Sequence, residues 1–302
     1  MRISMARPPI SGFHPAEAWR RSSIRLCIGV IFFLLLLPAF AVEPAVEGEL
    51  EIEYGTAGGE SLRLDASVPA GDGPFPIAIL IHGGGWGGGD KRQDFGELSK
   101  RLTDSDIVWF SINYRLAPKH RWPACFEDVQ SAIRWVREHA AEYKGDPRRI
   151  ALIGYSAGGH LATLAAIRAE DSTRVQAVVG LAPAVDLVED SRRRGQVSLS
   201  LQQLLELPEK LDEHALAKIS DISPAQEIKP GLPPFLLIQG TADQSVLHAH
   251  TVAFSEKLKQ AKIPCELITL EGAPHRIRDW KKQDPDYPEK IAKWLLNTLT
   301  VN

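Results

Sequence analysis

A Gly-Tyr-Ser-Ala-Gly turn at residues 154–158 constrains this chain more than any other feature. The apolar run before it, residues 150–153, predicts a buried strand, and residues 160–167 after it predict a helix. This succession is typical of a nucleophile elbow, which holds its serine in a strained conformation with the hydroxyl exposed. Such a turn admits only small residues two positions before and after the serine, and both are glycine here. Ser156 is therefore the candidate nucleophile, with an ordinary Gly/Ser turn as the alternative.

The rest of the chain predicts an α/β fold around this turn. Two segments of alternating polarity, residues 49–54 and 61–68, predict an antiparallel hairpin with its turn at 55–59. Further strands are predicted at 77–81, 107–112, 150–153, 175–181, 235–239 and 265–270, and further helices at 94–102, 127–143, 246–261 and 288–296. Continuous apolar strands that alternate with helices indicate a mostly parallel sheet of about eight strands with helices on both faces.

One long segment, residues 185–230, interrupts the alternation of strands and helices. Helical patterns at 198–206 and 212–218 lie inside it. The segment is predicted either as a small cap insert over the active site or as an enlarged crossover connection between two strands, far from the substrate.

The N-terminal residues have the pattern of a secretory signal. Basic residues up to Arg25 precede an apolar run at 26–37, and a small-x-small sequence ends at Ala41. The apolar run is short for a spanning helix. We expect a signal peptide over 1–41 and one catalytic domain over 42–302. The mature protein would then be secreted or periplasmic and free of the membrane; an uncleaved N-terminal anchor is the alternative.

Composition excludes several functional classes. The net charge is −3 and no basic stripe is present, so nucleic-acid binding is not expected. No Cys/His spacing suggests zinc, and neither a metal nor a cofactor is predicted. Cys125 and Cys265 would remain after cleavage at Ala41, either as one disulfide or as two separate thiols.

A serine nucleophile needs hydrogen-bond donors for the oxygen that becomes negative. His-Gly-Gly-Gly-Trp at 82–86 follows a predicted buried strand, and its glycines can turn backbone N–H groups toward the site. We expect the N–H groups of Gly84, Gly85 and Ala157 to form the oxyanion hole. A flexible glycine loop is the alternative.

The order of the chain selects the base and the acid, because this architecture places serine first, then an acid, then histidine. His275 follows the last predicted strand and is the expected base. Asp243 follows the penultimate strand and is the expected acid, with a helix cap as its alternative role and Asp186 as its rival. Among the other histidines, His82 and His160 are expected at structural positions and His248 and His250 on the surface. His120 and His214 are expected on the surface or in a cap.

With these residues in place, the chain resembles the α/β-hydrolase esterases of the bifunctional feruloyl and acetylxylan esterase type, which are related to the hormone-sensitive-lipase-like carboxylesterases. The resemblance rests on the motifs at 82–86, 113–118, 126–129, 154–160, 240–243 and 272–275. It implies the same triad of Ser156, Asp243 and His275. Two positions depart from the pattern: Tyr155 replaces the aspartate usual in the lipase-like relatives, and Pro274 stands where glycine is usual.

Other residues in these motifs receive lesser roles. Arg115 and Asp128 are expected to be scaffold charges. Trp86 and Tyr155 are candidate substrate-binding residues; Trp86 would either stack on a sugar or aryl ring or pack under the oxyanion loop.

The resemblance and the signal together lead to one expected function. The chain is expected to be a secreted serine esterase that removes acetyl or feruloyl groups from plant polysaccharide, with a small-molecule or polysaccharide ester as its partner. The alternatives are a general short-chain carboxylesterase, an arylformamidase-like amidase, a peptidase, and a non-catalytic binding protein on the same fold. The sequence makes no prediction of oligomeric state.

Overall fold

A computed structural model describes residues 48–300 of the chain, so the predicted signal at 1–41 lies outside the described residues. The strands are β1 Gly48–Ala57, β2 Glu60–Ser67, β3 Phe75–Ile81, β4 Val108–Ile112, β5 Gly145–Tyr155, β6 Ala177–Leu181, β7 Phe235–Gly240 and β8 Cys265–Leu270. They form one sheet in the order β1-β2-β4-β3-β5-β6-β7-β8.

The sheet is parallel from β4 to β8, and only β1 and β2 run antiparallel to their neighbours. The predicted α/β sheet of about eight strands is therefore confirmed. The turn between β1 and β2 is tighter than predicted and consists of Gly58 and Gly59, both at positive φ. Glycine adopts positive φ without strain, so two residues are enough to reverse the chain here. The strands β1 and β2 therefore extend further toward the turn than the alternating polar pattern predicts.

The helices are α1 Gly96–Asp104, α2 Ala124–His139, α3 Ala157–Ile167, α4 Leu187–Arg194, α5 Leu199–Leu205, α6 Glu213–Asp221, α7 His248–Gln260 and α8 Tyr287–Thr298. Alternate residues of the central strands point to opposite faces of the sheet. Ile77, Ile79 and Ile81 pack in one core cluster with side chains of α2, α3 and α7. Ala78 and Leu80 pack in a second cluster with side chains of α1 and α8. Both faces are thus covered, as the apolar strands require.

Strand β5 is the element whose extent differs most from the prediction, since it begins at Gly145 rather than at residue 150. Its first residues are polar, but Asp146 is buried and bonds the side chains of Arg148 and Arg149. These hydrogen bonds, above all those of Arg148, hold the pKa of Asp146 down at about 2. A polar segment can therefore belong to a central strand because its charges are paired.

The segment 185–230 forms three short helices, α4, α5 and α6, of which the first was not predicted. Asp186, Ser198 and Asp212 accept hydrogen bonds from backbone N–H groups at the starts of these helices. Because an N-cap satisfies an N–H group that the helix leaves free, short helices of this kind become stable.

Cys125 and Cys265 are both free thiols, so the structure favours the second of the two predicted alternatives. Within residues 48–300, no helix is long and apolar enough to cross a membrane. The same residues contain no group of three or more His, Cys, Asp or Glu side chains arranged to hold a metal ion.

Candidate active site

Ser156 lies between the end of β5 and the start of α3, at φ 53° and ψ −116°. Residues with a side chain rarely adopt such a positive φ, and the contacts around Ser156 hold its backbone in this conformation. A Cβ at Gly154 would lie 2.2 Å from the Gly158 carbonyl oxygen, and one at Gly158 would lie 2.0 Å from that of Ile81. Both glycines are therefore required for the backbone to close around the serine. The helix begins at Ala157, three residues earlier than predicted, so the serine directly precedes its first turn.

The structure brings the three predicted triad side chains into one hydrogen-bonded chain. His275 Nε2 lies 2.9 Å from Ser156 Oγ, and His275 Nδ1 lies 2.7 Å from Asp243 Oδ2. A carboxylate only accepts hydrogen bonds, so Nδ1 carries the proton toward Asp243. Nε2 is then free to accept the proton of the serine hydroxyl.

Asp243 is buried, and its carboxylate is held from several sides. Oδ1 accepts hydrogen bonds from the backbone N–H groups of Ser245 and Val246, at 2.8 and 2.9 Å. Gln239 Nε2 donates to Oδ2 at 2.9 Å. The alternative role of Asp243 as a helix cap is not what the structure shows, because α7 begins only at His248. Its oxygens order the loop before the helix and the ring of the histidine instead.

Gln239 is a site residue that the sequence reasoning missed. It is fully buried at the end of β7, where its amide oxygen also accepts a hydrogen bond from Thr251 at 3.0 Å. A polar side chain inside an otherwise apolar strand was the available signal, since buried amides need partners. The rival acid Asp186 instead caps α4 by accepting from the Glu189 N–H at 3.1 Å.

Tyr155 and Trp280 support the loop that carries His275. The Tyr155 hydroxyl donates to the His275 carbonyl oxygen at 2.9 Å, and the two rings stack with centroids 5.3 Å apart. Burial raises the pKa of Tyr155 above its usual range. Trp280 Nε1 donates to the Pro274 carbonyl oxygen at 2.7 Å. The unusual proline therefore lies in a loop that is held by side chains on both sides.

The loop after β3 directs its backbone toward Ser156. Gly84 and Gly85 have φ values of 108° and 60°, and a Cβ at Gly84 would lie 2.2 Å from the Gly88 carbonyl oxygen. Within residues 48–300, no acceptor bonds the N–H groups of Gly84, Gly85 or Ala157. The three N–H groups therefore remain available to a ligand oxygen beside the serine.

Trp86 packs behind this loop and also contributes to the cavity wall. Its side chain is buried, and Nε1 donates to His160 Nδ1 at 3.2 Å. His160 Nε2 donates in turn to the Ile222 carbonyl oxygen at 2.7 Å. Complete burial lowers the pKa of His160 to about 4, which keeps the ring neutral with its proton on Nε2. The second of the two roles considered for Trp86, packing under the oxyanion loop, is thus present, and the structural position expected for His160 is confirmed.

His82 and Arg115 are also structural. The His82 ring stacks on Tyr114 with centroids 4.3 Å apart, and its Nδ1 lies 2.7 Å from the Gly83 carbonyl oxygen. Arg115 bonds both carboxylate oxygens of Asp128, at 2.7 and 2.9 Å, and neither residue lines the cavity at Ser156. The prediction that Arg115 and Asp128 are scaffold charges agrees with this geometry.

The prediction that His250 is a surface residue is wrong. The residue is only 9% exposed and lines the cavity that contains Ser156. His250 lies in the first turn of α7, where the local sequence resembles an exposed helix face. Insert residues such as Asp190 and Arg194 line the same cavity, and Arg194 bonds the Ser245 carbonyl oxygen just before this helix. Such contacts between distant segments leave no signal in the pattern of α7.

The cavity has a volume of about 470 Å³. Ser156, His275 and the oxyanion loop form its base, while residues of the insert form much of the wall. The insert residues that line it are Val185, Asp186, Leu187, Asp190, Arg194, Ser198, Ser200 and Leu201. The first part of the segment, residues 185–201, therefore lines the site, and the interpretation of the whole segment 185–230 as a cap stays a prediction.

Comparison with known proteins assigns this arrangement to a family. The model of the family described as BD-FAE matches residues 64–258. Among curated proteins, the chain is similar to Esterase LipC of Mycobacterium tuberculosis, with 34% identity over 215 residues, 67% of this chain and 53% of the relative. The chain thus spans about half the length of this curated relative.

Solved structures share the fold. A "truncated form of carbohydrate esterase from gut microbiota" superposes with a TM-score of 0.73 at 23% identity, over 84% of this chain and 96% of that one. Esterase 2 of Thermogutta terrifontis superposes with a TM-score of 0.68 at 28% identity, over the same shares of the two chains. The predicted α/β-hydrolase architecture is therefore confirmed.

Proposed function

Because the chain belongs to the BD-FAE family, we propose that it is a serine carboxylic-ester hydrolase that acts through Ser156, His275 and Asp243. The observation that carries the proposal is the continuous chain of hydrogen bonds from Ser156 Oγ to Asp243 Oδ2, at 2.9 and 2.7 Å. The similarity to Esterase LipC and to the Thermogutta terrifontis esterase supports the same reaction class.

The geometry supports a two-step mechanism. His275 Nε2 takes the hydroxyl proton of Ser156 while Oγ attacks the ester carbonyl carbon. The carbonyl oxygen becomes negative, and the N–H groups of Gly84, Gly85 and Ala157 stabilise it. The C–O bond to the alcohol then breaks, and His275 returns the proton to the departing oxygen. A water molecule attacks the acyl-enzyme in the same way, releasing the carboxylic acid and the free serine.

Asp243 keeps the ring of His275 in the orientation and tautomer that this cycle needs. Its carboxylate also stabilises the imidazolium that forms when the serine proton arrives. Gln239 and the N–H groups of Ser245 and Val246 hold the carboxylate in place, so it does not have to reorganise during the reaction.

We propose acetyl or feruloyl esters of plant polysaccharide as the substrate class, acted on by a secreted or periplasmic enzyme. Two features support this: the signal pattern at residues 1–41 and a cavity that joins apolar and polar walls. A general short-chain carboxylesterase is the second candidate, favoured by the apolar side chains of Trp86, Leu187 and Leu201 beside the oxyanion loop.

The reaction is tested with Ser156→Ala and p-nitrophenyl acetate. We expect kcat to fall by about 10⁴-fold or more, because the nucleophile is removed. Ser99→Ala is the matched control, since this serine lies in α1, outside the cavity, and its hydroxyl bonds only the Gly96 carbonyl oxygen. Full activity of Ser156→Ala would exclude the proposed nucleophile.

The substrate class is tested with a panel of acetylated xylan, methyl ferulate and p-nitrophenyl esters of rising chain length. We expect acetylated xylan or methyl ferulate to have the highest kcat/KM. A preference for long acyl chains over both would contradict the carbohydrate assignment and favour the general carboxylesterase.

A further inference from the structure

His250 is a polar side chain in the cavity whose ring has no hydrogen-bond partner among the described residues. The residue is 9% exposed and lines the same cavity as Ser156. Among residues 48–300, no side chain or backbone group hydrogen-bonds its ring. Its ring nitrogens are open to the cavity rather than sealed inside the protein, so they can hydrogen-bond a polar ligand that enters it.

The position of His250 identifies which part of an ester it would meet. His275 must return a proton to the oxygen of the alcohol, so the alcohol lies on the His275 side of the cavity. The loop that holds Asp243 is on this side, and it continues through Ser245 and Val246 into the first turn of α7. His250 lies in that turn and lines the cavity, which places it on the side of the alcohol.

Further polar residues line the same cavity, among them Arg194 and Ser245. Arg194 of the insert donates from Nη2 to the Ser245 carbonyl oxygen at 3.0 Å, which joins α4 to the loop after Asp243. Asp190 Oδ2 accepts from Arg194 Nε at 2.7 Å and so holds the guanidinium in position. The Ser245 side chain is exposed at this junction and lines the cavity.

We propose that His250, Ser245 and Arg194 form a hydroxyl subsite that binds a polyhydroxy alcohol, such as a pentose unit, in the ester substrate. The proposal rests on the proposed esterase function and deepens it. A neutral imidazole offers one donor and one acceptor, a serine hydroxyl offers both, and a guanidinium offers donors. Vicinal sugar hydroxyls match this set because each both donates and accepts, whereas a simple aryl or alkyl alcohol leaves the groups unpaired.

The test compares two esters that carry the same acyl group. Wild type and His250→Phe are assayed with p-nitrophenyl acetate and with methyl β-xyloside carrying one acetyl group. Phenylalanine keeps the size of the ring and removes both nitrogens. We expect kcat/KM for the acetyl xyloside to fall about tenfold relative to kcat/KM for p-nitrophenyl acetate. A change of this size corresponds to the loss of about one hydrogen bond.

A matched control is available on the same helix. His248 lies two residues earlier, outside the cavity, with Nε2 3.0 Å from Thr269 Oγ1. We expect His248→Phe to leave the ratio of the two kcat/KM values unchanged. His250→Asn should recover part of the ratio, because an amide restores a donor and an acceptor.

A second measurement does not depend on the folding of the phenylalanine variant. Unacetylated methyl β-xyloside should inhibit hydrolysis of p-nitrophenyl acetate competitively in wild type, and His250→Asn should weaken the inhibition. An equal loss with both esters, an unchanged ratio in His250→Phe, or no inhibition by the glycoside would overturn the subsite. Each of these results leaves the esterase function intact, because that function fails only if Ser156→Ala remains active.

Discussion

The two halves of the cavity are built in different ways. The half that contains the elbow and the oxyanion loop is held by contacts between backbones: a Cβ at Gly158 would lie 2.0 Å from the Ile81 carbonyl oxygen, and one at Gly84 would lie 2.2 Å from that of Gly88. The half formed by the insert is held by hydrogen bonds from side chains to backbone carbonyl oxygens of other segments. Arg194 bonds the Ser245 carbonyl oxygen, and His160 bonds that of Ile222.

This difference separates chemistry from substrate choice. Backbone contacts allow almost no substitution, which suits groups that must meet a reacting atom within a fraction of an ångström. Side-chain contacts can change while the fold remains, which suits a wall that selects the alcohol or the acyl group. Changes in the backbone-held half should therefore affect every ester, and changes in the insert should affect esters selectively.

Asp243→Asn should produce the largest effect and should not distinguish between esters. An asparagine cannot hold His275 with its proton on Nδ1, so we expect kcat to fall about 10⁴-fold with p-nitrophenyl acetate. Asp186→Asn should cost far less, because Asp186 caps α4 and asparagine is also a good cap. Equal losses in the two variants would remove the reason for choosing Asp243 as the acid.

Gly158→Ala tests the backbone-held half directly. The new methyl group would collide with the carbonyl oxygens of Ile81 and His82, at 2.0 and 2.4 Å, and displace the elbow. We expect kcat to fall by at least about 10²-fold and the free energy of unfolding to fall by about 3 kcal/mol. Gly96→Ala is the control, since a Cβ there meets nothing within 4 Å. A Gly158→Ala enzyme with wild-type kcat would show that the turn is not tightly constrained.

His160 connects the two halves and should make stability depend on pH. Its pKa is lowered to about 4 by burial, from an ordinary value of 6.5. Between these values the unfolded chain binds a proton that the folded chain does not, so the free energy of unfolding falls as the pH falls. From pH 6.5 to about 4, wild type should lose about 3 kcal/mol more than His160→Asn in urea unfolding. Parallel pH curves for the two proteins would contradict the burial of a neutral ring.

Arg194→Gln should give the smallest effect, and the effect should depend on the ester. The Arg194 side chain is one-third exposed, so its loss should lower the free energy of unfolding by less than about 1 kcal/mol. We expect KM for the acetyl xyloside to rise about fivefold, and more than KM for p-nitrophenyl acetate. Arg193→Gln is the control, because Arg193 also pairs with Asp190, at 2.8 Å, yet does not line the cavity. Equal KM changes for the two variants would argue against a role of Arg194 in selecting the alcohol.

The difference between backbone-held and side-chain-held parts of the site also explains which residues the sequence could predict. Ser156, Asp243 and His275 follow strands in a fixed order, and the glycines beside Ser156 carry a steric signal that a local pattern retains. The eight strands were recognised for a similar reason, because apolar runs and alternation are local. Strand β5 was predicted too short, since its first residues are polar and only their ion pairs make them compatible with burial.

The features that sequence reasoning missed depend on contacts between distant segments. His250 lines a cavity that residues of the distant insert also line, whereas the pattern of α7 alone resembles a solvent-exposed face. Gln239 is satisfied by Asp243 and by Thr251, twelve residues further along the chain. Helix α4 is short and highly charged, and it is stabilised by its cap at Asp186 and by ion pairs of Asp190 with Arg193 and Arg194.

The most direct test of the central claim is covalent labelling of the nucleophile. The enzyme is inactivated with an organophosphate that releases a chromophore, digested, and mapped by mass spectrometry. We predict one phosphoryl group per active site, carried by Ser156, and neither label nor released chromophore in Ser156→Ala. Complete inactivation with the label on another residue, or stoichiometric labelling of the Ser156→Ala protein, would contradict the assignment of Ser156 as the nucleophile.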